Sequence, residues 1–179
     1  MKFCQQLSSY LRTKEYTGNR LYGDMFEQAV LCDQGGYDSV ALTEHHLINI
    51  LMMPAPLQFA VKIAEATQNI NIITAVVVLP LHDMRVYAGE VIASQIFTND
   101  RLFLGVGRGA FAYEMARLGS PLDESREKFN ESLDVLTALL SREEVSWSLK
   151  YYNFDKLTVM PRPMTKNGPP IMMAVLDPE

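Results

Sequence analysis

The sequence predicts an α/β protein built on a parallel sheet. Short strand-like runs alternate along the chain with amphipathic helical stretches, which is the pattern of consecutive βαβ units. The run 72–78 (IITAVVV) has no polar alternation, as expected of a strand that is covered on both faces. With 179 residues, 48% of them apolar, the chain can bury a sizeable core. We therefore expect one domain, residues 1–179.

Turn and capping signals divide the chain into elements. Asp24 and Glu27 form a capping-box-like pair that predicts the start of the first helix at Asp24, and the glycine pair 35–36 predicts its end. Pro54 and Pro56 mark the entry to a second helix. Further helices are expected at 84–97 and 125–140, and strands are expected at 2–6, 39–42, 71–78, 102–106 and 171–175.

The segment before the last strand predicts a different structure. Residues 145–147 and 151–154 are strand-like and are separated by a short polar stretch, which indicates a surface β-hairpin outside the parallel sheet. The whole pattern contains about five parallel strands and four helices. That is too few for an eight-stranded barrel, which needs at least ~200 residues.

Composition excludes several classes of function. Lysine and arginine number 16 against 21 acidic residues, with no basic run, so no nucleic-acid partner is expected. The longest apolar run, 75–79 followed by Pro80, is too short to span a bilayer, and the amino terminus lacks a signal-peptide core. Cys4 and Cys32 have neither metal-ligand nor redox spacing, so we expect both to be reduced and buried, and the protein to be cytoplasmic.

Ionisable residues follow the second predicted strand. Glu44, His45 and His46 come directly after it, at the carboxyl end where α/β folds place their active sites. Adjacent residues in extended backbone point to opposite sides, so one histidine is a candidate acid or base. Alternatively, the histidines satisfy local backbone groups, or they join Glu44 and His82 in a metal site. A metal site is the less favoured hypothesis, because the spacing of these histidines is not that of a helical metal-binding pair.

Two further clusters follow later strands. The segment 105–109 (GVGRG) has Gly-x-Gly-x-Gly spacing, which is not a dinucleotide-binding fingerprint, and Arg108 in it suits a phosphate or carboxylate. The alternative is a tight exit turn with Arg108 as a solvated charge. Thr74 and Ala75 leave room for a flat ring beneath a strand end, although small residues also fill barrel cores.

Together these segments resemble the bacterial luciferase-like flavin-dependent monooxygenases. The likeness covers essentially the whole chain in the right order, in the segments 36–46, 74–83, 100–109, 121–129, 160–163 and 169–171. The resemblance implies a TIM (β/α)8 barrel type of fold, here truncated to about five parallel strands, four helices and the hairpin. It also implies an enzyme that uses reduced FMN, or in some relatives F420, and dioxygen to oxidise a small organic substrate such as an aldehyde. A separate flavin reductase and a homodimer are expected with it.

The resemblance also assigns roles to residues. His45 takes the place of the catalytic acid or base, with Glu44 beside it. The cofactor-binding positions are Ala75 against the isoalloxazine ring, Arg108 at the flavin phosphate, Gly107 where luciferase carries a reactive cysteine, and Glu179 at the phosphate-binding loop. Gly107 argues for a non-luminescent relative. The chain ends at Glu179, before the rest of that loop and three further strands, so the alternative is a truncated, catalytically inactive relative that binds flavin or dimerises.

Overall fold

The computed structural model describes residues 1–11, 13 and 15–175. Five helices are present in this part of the chain: α1 (Gly18–Gln34), α2 (Pro56–Ala66), α3 (Met84–Phe97), α4 (Ala112–Arg117) and α5 (Ser125–Ser141). The strands are β1 (Cys4–Gln6), β2 (Ser39–Leu42), β3 (Asn71–Thr74), β4 (Val77–Val78), β5 (Leu102–Gly107), β6 (Val145–Ser148), β7 (Asn153–Leu157) and β8 (Ile171–Met173). No helix among the described residues is long and apolar enough to cross a membrane.

Six of the strands form one parallel sheet, as predicted. Its order is β1-β2-β3-β5-β4, and β8 pairs with β5. All of its pairings are parallel. The carboxyl ends of the strands therefore lie at one edge of the sheet, where their loops can share a site.

The predicted strand 71–78 is interrupted in the structure. Its first part, β3, pairs with the start of β5, and its second part, β4, pairs with the end of β5. The peptide bond between Ala75 and Val76, in the gap, is cis. The interruption takes Ala75 and Val76 out of the ladder and leaves them at the carboxyl end of the sheet.

Gly105 permits the close approach of β3 and β5. A Cβ atom at this position would lie 1.8 Å from the carbonyl oxygen of Thr74. The Thr74 hydroxyl donates a hydrogen bond of 2.8 Å to the carbonyl of Gly105. The two strands are thus held together by backbone contact at a point where only glycine fits.

The hydrophobic core lies between the sheet and the helices. Strand side chains Val40, Leu42, Ile72 and Leu104 are fully buried, and helices α2, α3 and α5 cover them. The helical side chains that fill this layer include Ala60, Ile63, Ala88, Val91, Ile92, Val135, Leu136 and Leu140. Burying each valine, leucine or isoleucine side chain of this layer contributes about 1.5–3 kcal/mol.

Two charged side chains fix the loop between α2 and β3. The Asp33 carboxylate accepts hydrogen bonds from the backbone amides of residues 68, 69 and 70. Arg101 donates to the backbone carbonyls of Ala64, Thr67 and Ile70. Burial tends to raise the pKa of Asp33, but the three amides and Arg101 lower it overall. The start of β3 is therefore anchored from two sides.

The start of the first helix was predicted wrongly. Helix α1 begins at Gly18, and the hydroxyl of its N-cap Thr17 accepts a hydrogen bond from the backbone amide of Arg20. Asp24 lies inside the helix and accepts a hydrogen bond from the Tyr16 hydroxyl. A capping-box pattern is local, so it can occur within a helix when another residue supplies the true cap.

Other expectations had mixed outcomes. The surface hairpin is confirmed, as strands β6 and β7 pair antiparallel. Helix α4 was not predicted, and with six residues it is too short to show helical periodicity. Cys32 is buried as expected, but Cys4 is exposed because β1 is an edge strand of the sheet.

We expect the substitution Gly105→Ala to destabilise the fold by at least about 3 kcal/mol. Overpacking a core typically costs about 1–3 kcal/mol, and here the clash is with backbone that cannot change rotamer. Urea unfolding followed by circular dichroism measures the change. The control is Gly23→Ala in α1, where nothing lies within 4 Å of the added Cβ, and which should stabilise by about 0.5–1 kcal/mol. Equal effects of both variants would contradict this account.

Candidate functional site

A cavity of about 770 Å³ lies at the carboxyl ends of the parallel strands. Of the residues predicted from the sequence, it is lined by Glu44, His45, Ala75, Gly107 and Arg108. The cavity wall thus combines residues from the loops after β2, β3 and β5. Glu179 lies outside the described residues.

Glu44 is the most heavily hydrogen-bonded side chain at this edge. It is only 2% exposed. Its Oε1 atom accepts hydrogen bonds from the Nε2 atoms of His46, at 2.7 Å, and His82, at 2.6 Å. Its Oε2 atom accepts one from the backbone amide of Val78, at 2.6 Å. Glu44 therefore joins the loop after β2 to β4 and to the loop that follows it.

These contacts shift the pKa of Glu44 and of His46. Burial alone would raise the pKa of Glu44, but hydrogen bonds from both imidazoles, the charge of His82 and the Val78 amide lower it from 4.5 to about 2. The hydrogen bond to Glu44 raises the pKa of His46, burial opposes this, and the charges of Glu44 and Glu114 add to the rise. Ionised Glu44 can only accept, so both imidazole Nε2 atoms carry hydrogen.

The ligating atoms of Glu44, His46 and His82 lie within 4.8 Å of one another, close enough to be considered as a metal site. Three of the four residues weighed for a metal from the sequence are thus brought together. Both oxygens of Glu44, however, are already occupied by N–H donors. We interpret the cluster as a buried carboxylate held by two imidazoles and one amide, and we assign it no metal.

His45 points away from this network. Its ring lines the cavity and lies edge-to-face against Phe111, with ring centroids 5.2 Å apart. Its Nδ1 atom lies 3.7 Å from Oε2 of Glu114. The two adjacent histidines therefore reach different partners, as extended backbone predicts.

The glycines of 105–109 are set by close packing. A Cβ at Gly107 would lie 2.6 Å from Cγ2 of Val76, and Gly109 has a φ of 86°. A Cβ at Gly109 would lie 2.6 Å from the sulfur of Met115. The tight-turn interpretation therefore holds for Gly109 alone, since Gly105 and Gly107 lie within β5 and are required by close packing, while exposed Arg108 stands at the cavity wall.

Sequence reasoning did not assign a role to several lining residues, of which Phe111, Glu114 and Arg126 matter most for the chemistry of the cavity. Phe111 and Glu114 come from the start of α4, and Arg126 comes from the first turn of α5. Glu114 is buried and accepts a hydrogen bond from the backbone amide of His46. That contact joins residues 68 positions apart, so no local pattern signals it. Arg126 could have been found, because it lies in the segment 121–129 that carried the resemblance. Glu114 could not, because a buried acidic residue has no sequence signature of its own.

Comparison with known proteins identifies the family. The family model for luciferase-like monooxygenases matches residues 1–179. The chain belongs to this family. The oxygenase component of the flavin-dependent trigonelline monooxygenase of Acinetobacter baylyi is 28% identical over 166 residues, which are 92% of this chain and 46% of that protein. The F420-dependent glucose-6-phosphate dehydrogenase of Amycolatopsis mediterranei is 28% identical over 161 residues, 86% of this chain and 47% of that protein.

A solved structure has the same fold. The oxygenating constituent of 3,6-diketocamphane monooxygenase from Pseudomonas putida, in complex with FMN, superposes with a TM-score of 0.87 at 22% identity. The match covers 97% of this chain and 51% of that one. The chain thus spans about half the length of the relatives that it matches. The predicted family and α/β fold class are confirmed. The proteins to which the chain is similar in sequence include one named as flavin-dependent and one named as F420-dependent, in line with the cofactors that the resemblance implied.

We expect Glu44→Gln to lower the free energy of unfolding at pH 7 by about 3 kcal/mol. A pKa of about 2 in place of 4.5 corresponds to this value at 1.36 kcal/mol per pH unit. Because the folded pKa is the lower one, the stabilisation is complete above pH 4.5 and is lost as pH falls towards 2. The raised pKa of His46 acts in the opposite sense, since its contribution is complete below pH 6.5 and declines as pH rises through the folded value.

Urea unfolding of both proteins between pH 3 and 8 checks this expectation. The stability difference should shrink steadily below pH 4.5. The matched control is Glu143→Gln, an exposed residue on the surface, which should leave the pH profile unchanged. A difference between wild type and Glu44→Gln that is the same at every pH would contradict the account.

Proposed function

We propose that this chain forms the flavin site of a monooxygenase that uses reduced FMN and dioxygen to oxidise a small organic substrate, such as an aldehyde. One observation carries the proposal: the residues that the family resemblance assigns to chemistry and to cofactor binding line one cavity. Glu44, His45, Ala75, Gly107 and Arg108 come from three separate loops. Their meeting at the carboxyl ends of parallel strands is the arrangement of an α/β active site.

The cavity fits a flavin mononucleotide in size and in chemistry. Its volume of about 770 Å³ is within the ~300–1,000 Å³ of typical cofactor pockets. Two arginines, Arg108 and Arg126, are among its lining residues. Arginine binds phosphate through paired N–H donors, so these two residues would hold the phosphate of the cofactor.

Small residues leave room for the flat isoalloxazine ring of the flavin. Ala75 and Val76 are taken out of the strand ladder, and both line the cavity together with Gly107, which adjoins Val76. The absence of a side chain at Gly107 leaves space that a Cβ would take from Val76. We infer that the backbone at Ala75 packs against the isoalloxazine ring. When bound, the flavin supplies the redox chemistry, and the protein contributes orientation and exclusion of water.

His45 is the group that exchanges protons in this proposal. Its side chain is 15% exposed and lines the cavity, and an imidazole can give or take a proton near neutral pH. Phe111 and Phe129 provide apolar wall on the same cavity. Glu44 supports His45 indirectly, because its hydrogen bonds to His46 and His82 hold the loop that carries His45.

The partners follow from the same chemistry. A flavin reductase would supply the reduced cofactor, as the resemblance implies for oxygenase components of this family. F420 is the alternative cofactor. We also propose a homodimer in the cytoplasm, on the family resemblance alone.

We expect Arg108→Ala to raise the dissociation constant for FMN by tenfold or more and to leave that for riboflavin unchanged. Riboflavin lacks the phosphate, and a lost charged hydrogen bond of about 1.4 kcal/mol is a factor of ten. Quenching of flavin fluorescence on titration gives both constants. Arg85→Ala is the matched control, since Arg85 is paired with Asp83 and does not line the cavity.

Two results would go against the proposal. If the unchanged chain bound neither FMN nor riboflavin, the flavin site would be lost. If Arg108→Ala weakened both ligands equally, Arg108 would not be a phosphate contact. Turnover of an aldehyde with reduced FMN and a flavin reductase separates an enzyme from a relative that binds flavin without reaction.

A further inference from the structure

We propose that Glu114 is a positioning residue for His45, which holds the ring with its Nδ1–H towards α4 and leaves Nε2 facing the cavity. The task of Nε2 in the cavity rests on the proposed function. The orientation of the ring does not, since it follows from contacts within this chain.

Glu114 is itself held firmly. It is 2% exposed and lies in the first turn of α4. Its Oε1 atom accepts a hydrogen bond from the backbone amide of His46, the residue next to His45. The carboxylate is thus fixed to the same loop that it would orient, and only its second oxygen is left to meet the ring.

That second oxygen faces a nitrogen without a partner. Oε2 of Glu114 lies 3.7 Å from Nδ1 of His45. Nδ1 is buried and has no hydrogen-bond partner among the residues that the structure describes. A buried polar nitrogen left unpaired is costly, and a small rotation of the ring or the carboxylate closes the gap. Catalytic hydrogen bonds are commonly long in free proteins and shorten when a ligand binds.

The same helix also fixes the plane of the ring. Phe111, directly before α4, lies edge-to-face against His45 with an interplanar angle of 85°. Phe111 and Glu114 are three residues apart, so one short segment meets the imidazole through two side chains. Helix α4 therefore acts as a holder for His45.

The chemistry of the pair sets the tautomer. An ionised carboxylate only accepts hydrogen bonds, so a neutral ring bound to it carries its hydrogen on Nδ1 and keeps a lone pair on Nε2. Because Nδ1 is buried, the accessible part of the ring is the side that carries Nε2. His45 would then accept a proton from a ligand in the cavity, with Glu114 stabilising the charged ring.

The other two histidines make the opposite contact. His46 and His82 each present Nε2 to Glu44. Their hydrogen therefore lies on Nε2, whereas that of His45 lies on Nδ1. The chain has three histidines in all, so each ring can be observed separately.

Long-range ¹H–¹⁵N correlation spectra of the chain labelled at the imidazole nitrogens test the proposal. Single His→Asn variants assign the three rings. At a pH where the rings are neutral, we expect His45 in the Nδ1–H form. In Glu114→Gln, the amide of His46 takes the single oxygen acceptor, and the side-chain NH₂ turns towards Nδ1. His45 should then change to the Nε2–H form.

Glu131→Gln is the matched control, because Glu131 is another buried helical carboxylate that accepts backbone amide hydrogens, here those of Tyr151 and Tyr152, but it does not line the cavity, so the His45 tautomer should stay unchanged. Backbone amide spectra report whether each variant is folded. An Nε2–H form of His45 in the unchanged chain would overturn the proposal whether or not the variants fold. So would a folded Glu114→Gln chain that keeps the Nδ1–H form.

The test needs no flavin, so its outcome is separate from that of the proposed function. FMN titration of the same samples decides the flavin site. A chain that binds no FMN but shows the Nδ1–H form would keep the role of Glu114 and lose the flavin site. A chain that binds FMN with His45 in the Nε2–H form would keep the flavin site and lose the role of Glu114.

Discussion

The geometry of the site depends on the buried carboxylate of Glu44. Two imidazoles and one backbone amide converge on it, from the loop after β2, from β4 and from the loop after the 3₁₀ turn Leu79–Leu81. Removing one partner of such a cluster would leave a charge or a donor buried without compensation. The network therefore fixes two neighbouring loops relative to each other, and the cavity between them keeps its shape.

Glycine contacts set the other wall of the cavity. Strand β5 meets Thr74 at Gly105 and Val76 at Gly107, and Gly109, two residues after the strand, meets Met115; a Cβ at each glycine would lie less than 3.0 Å from its neighbour. The interruption between β3 and β4 lies against this row. Ala75 and Val76, between β3 and β4, therefore make no ladder pairing. They line the space where we propose that a flat ligand binds.

Two carboxylates divide the histidines between them. Glu44 contacts His46 and His82 through Nε2 and is saturated with donors, whereas Glu114 contacts the loop amide at His46 and faces Nδ1 of His45. Adjacent residues on extended backbone point in opposite directions, so the side chains of His45 and His46 can reach different carboxylates. In our proposal, the first carboxylate maintains the loop and the second prepares the ring that faces the cavity.

The sequence by itself determined the parallel sheet, the order of its elements, the polar residues at the strand ends and the family. These depend on periodicities of two and 3.6 residues and on short motifs, which are local. It did not reveal the start of α1, the interruption at Ala75 or the exposure of Cys4, since competing caps, strand contacts and edge position decide them. Only the tertiary structure brought Glu114 close to His45 and placed Arg126 on the same cavity as Arg108. Such contacts link residues far apart in the chain, and nothing in the local pattern around a buried carboxylate states which ring it will meet.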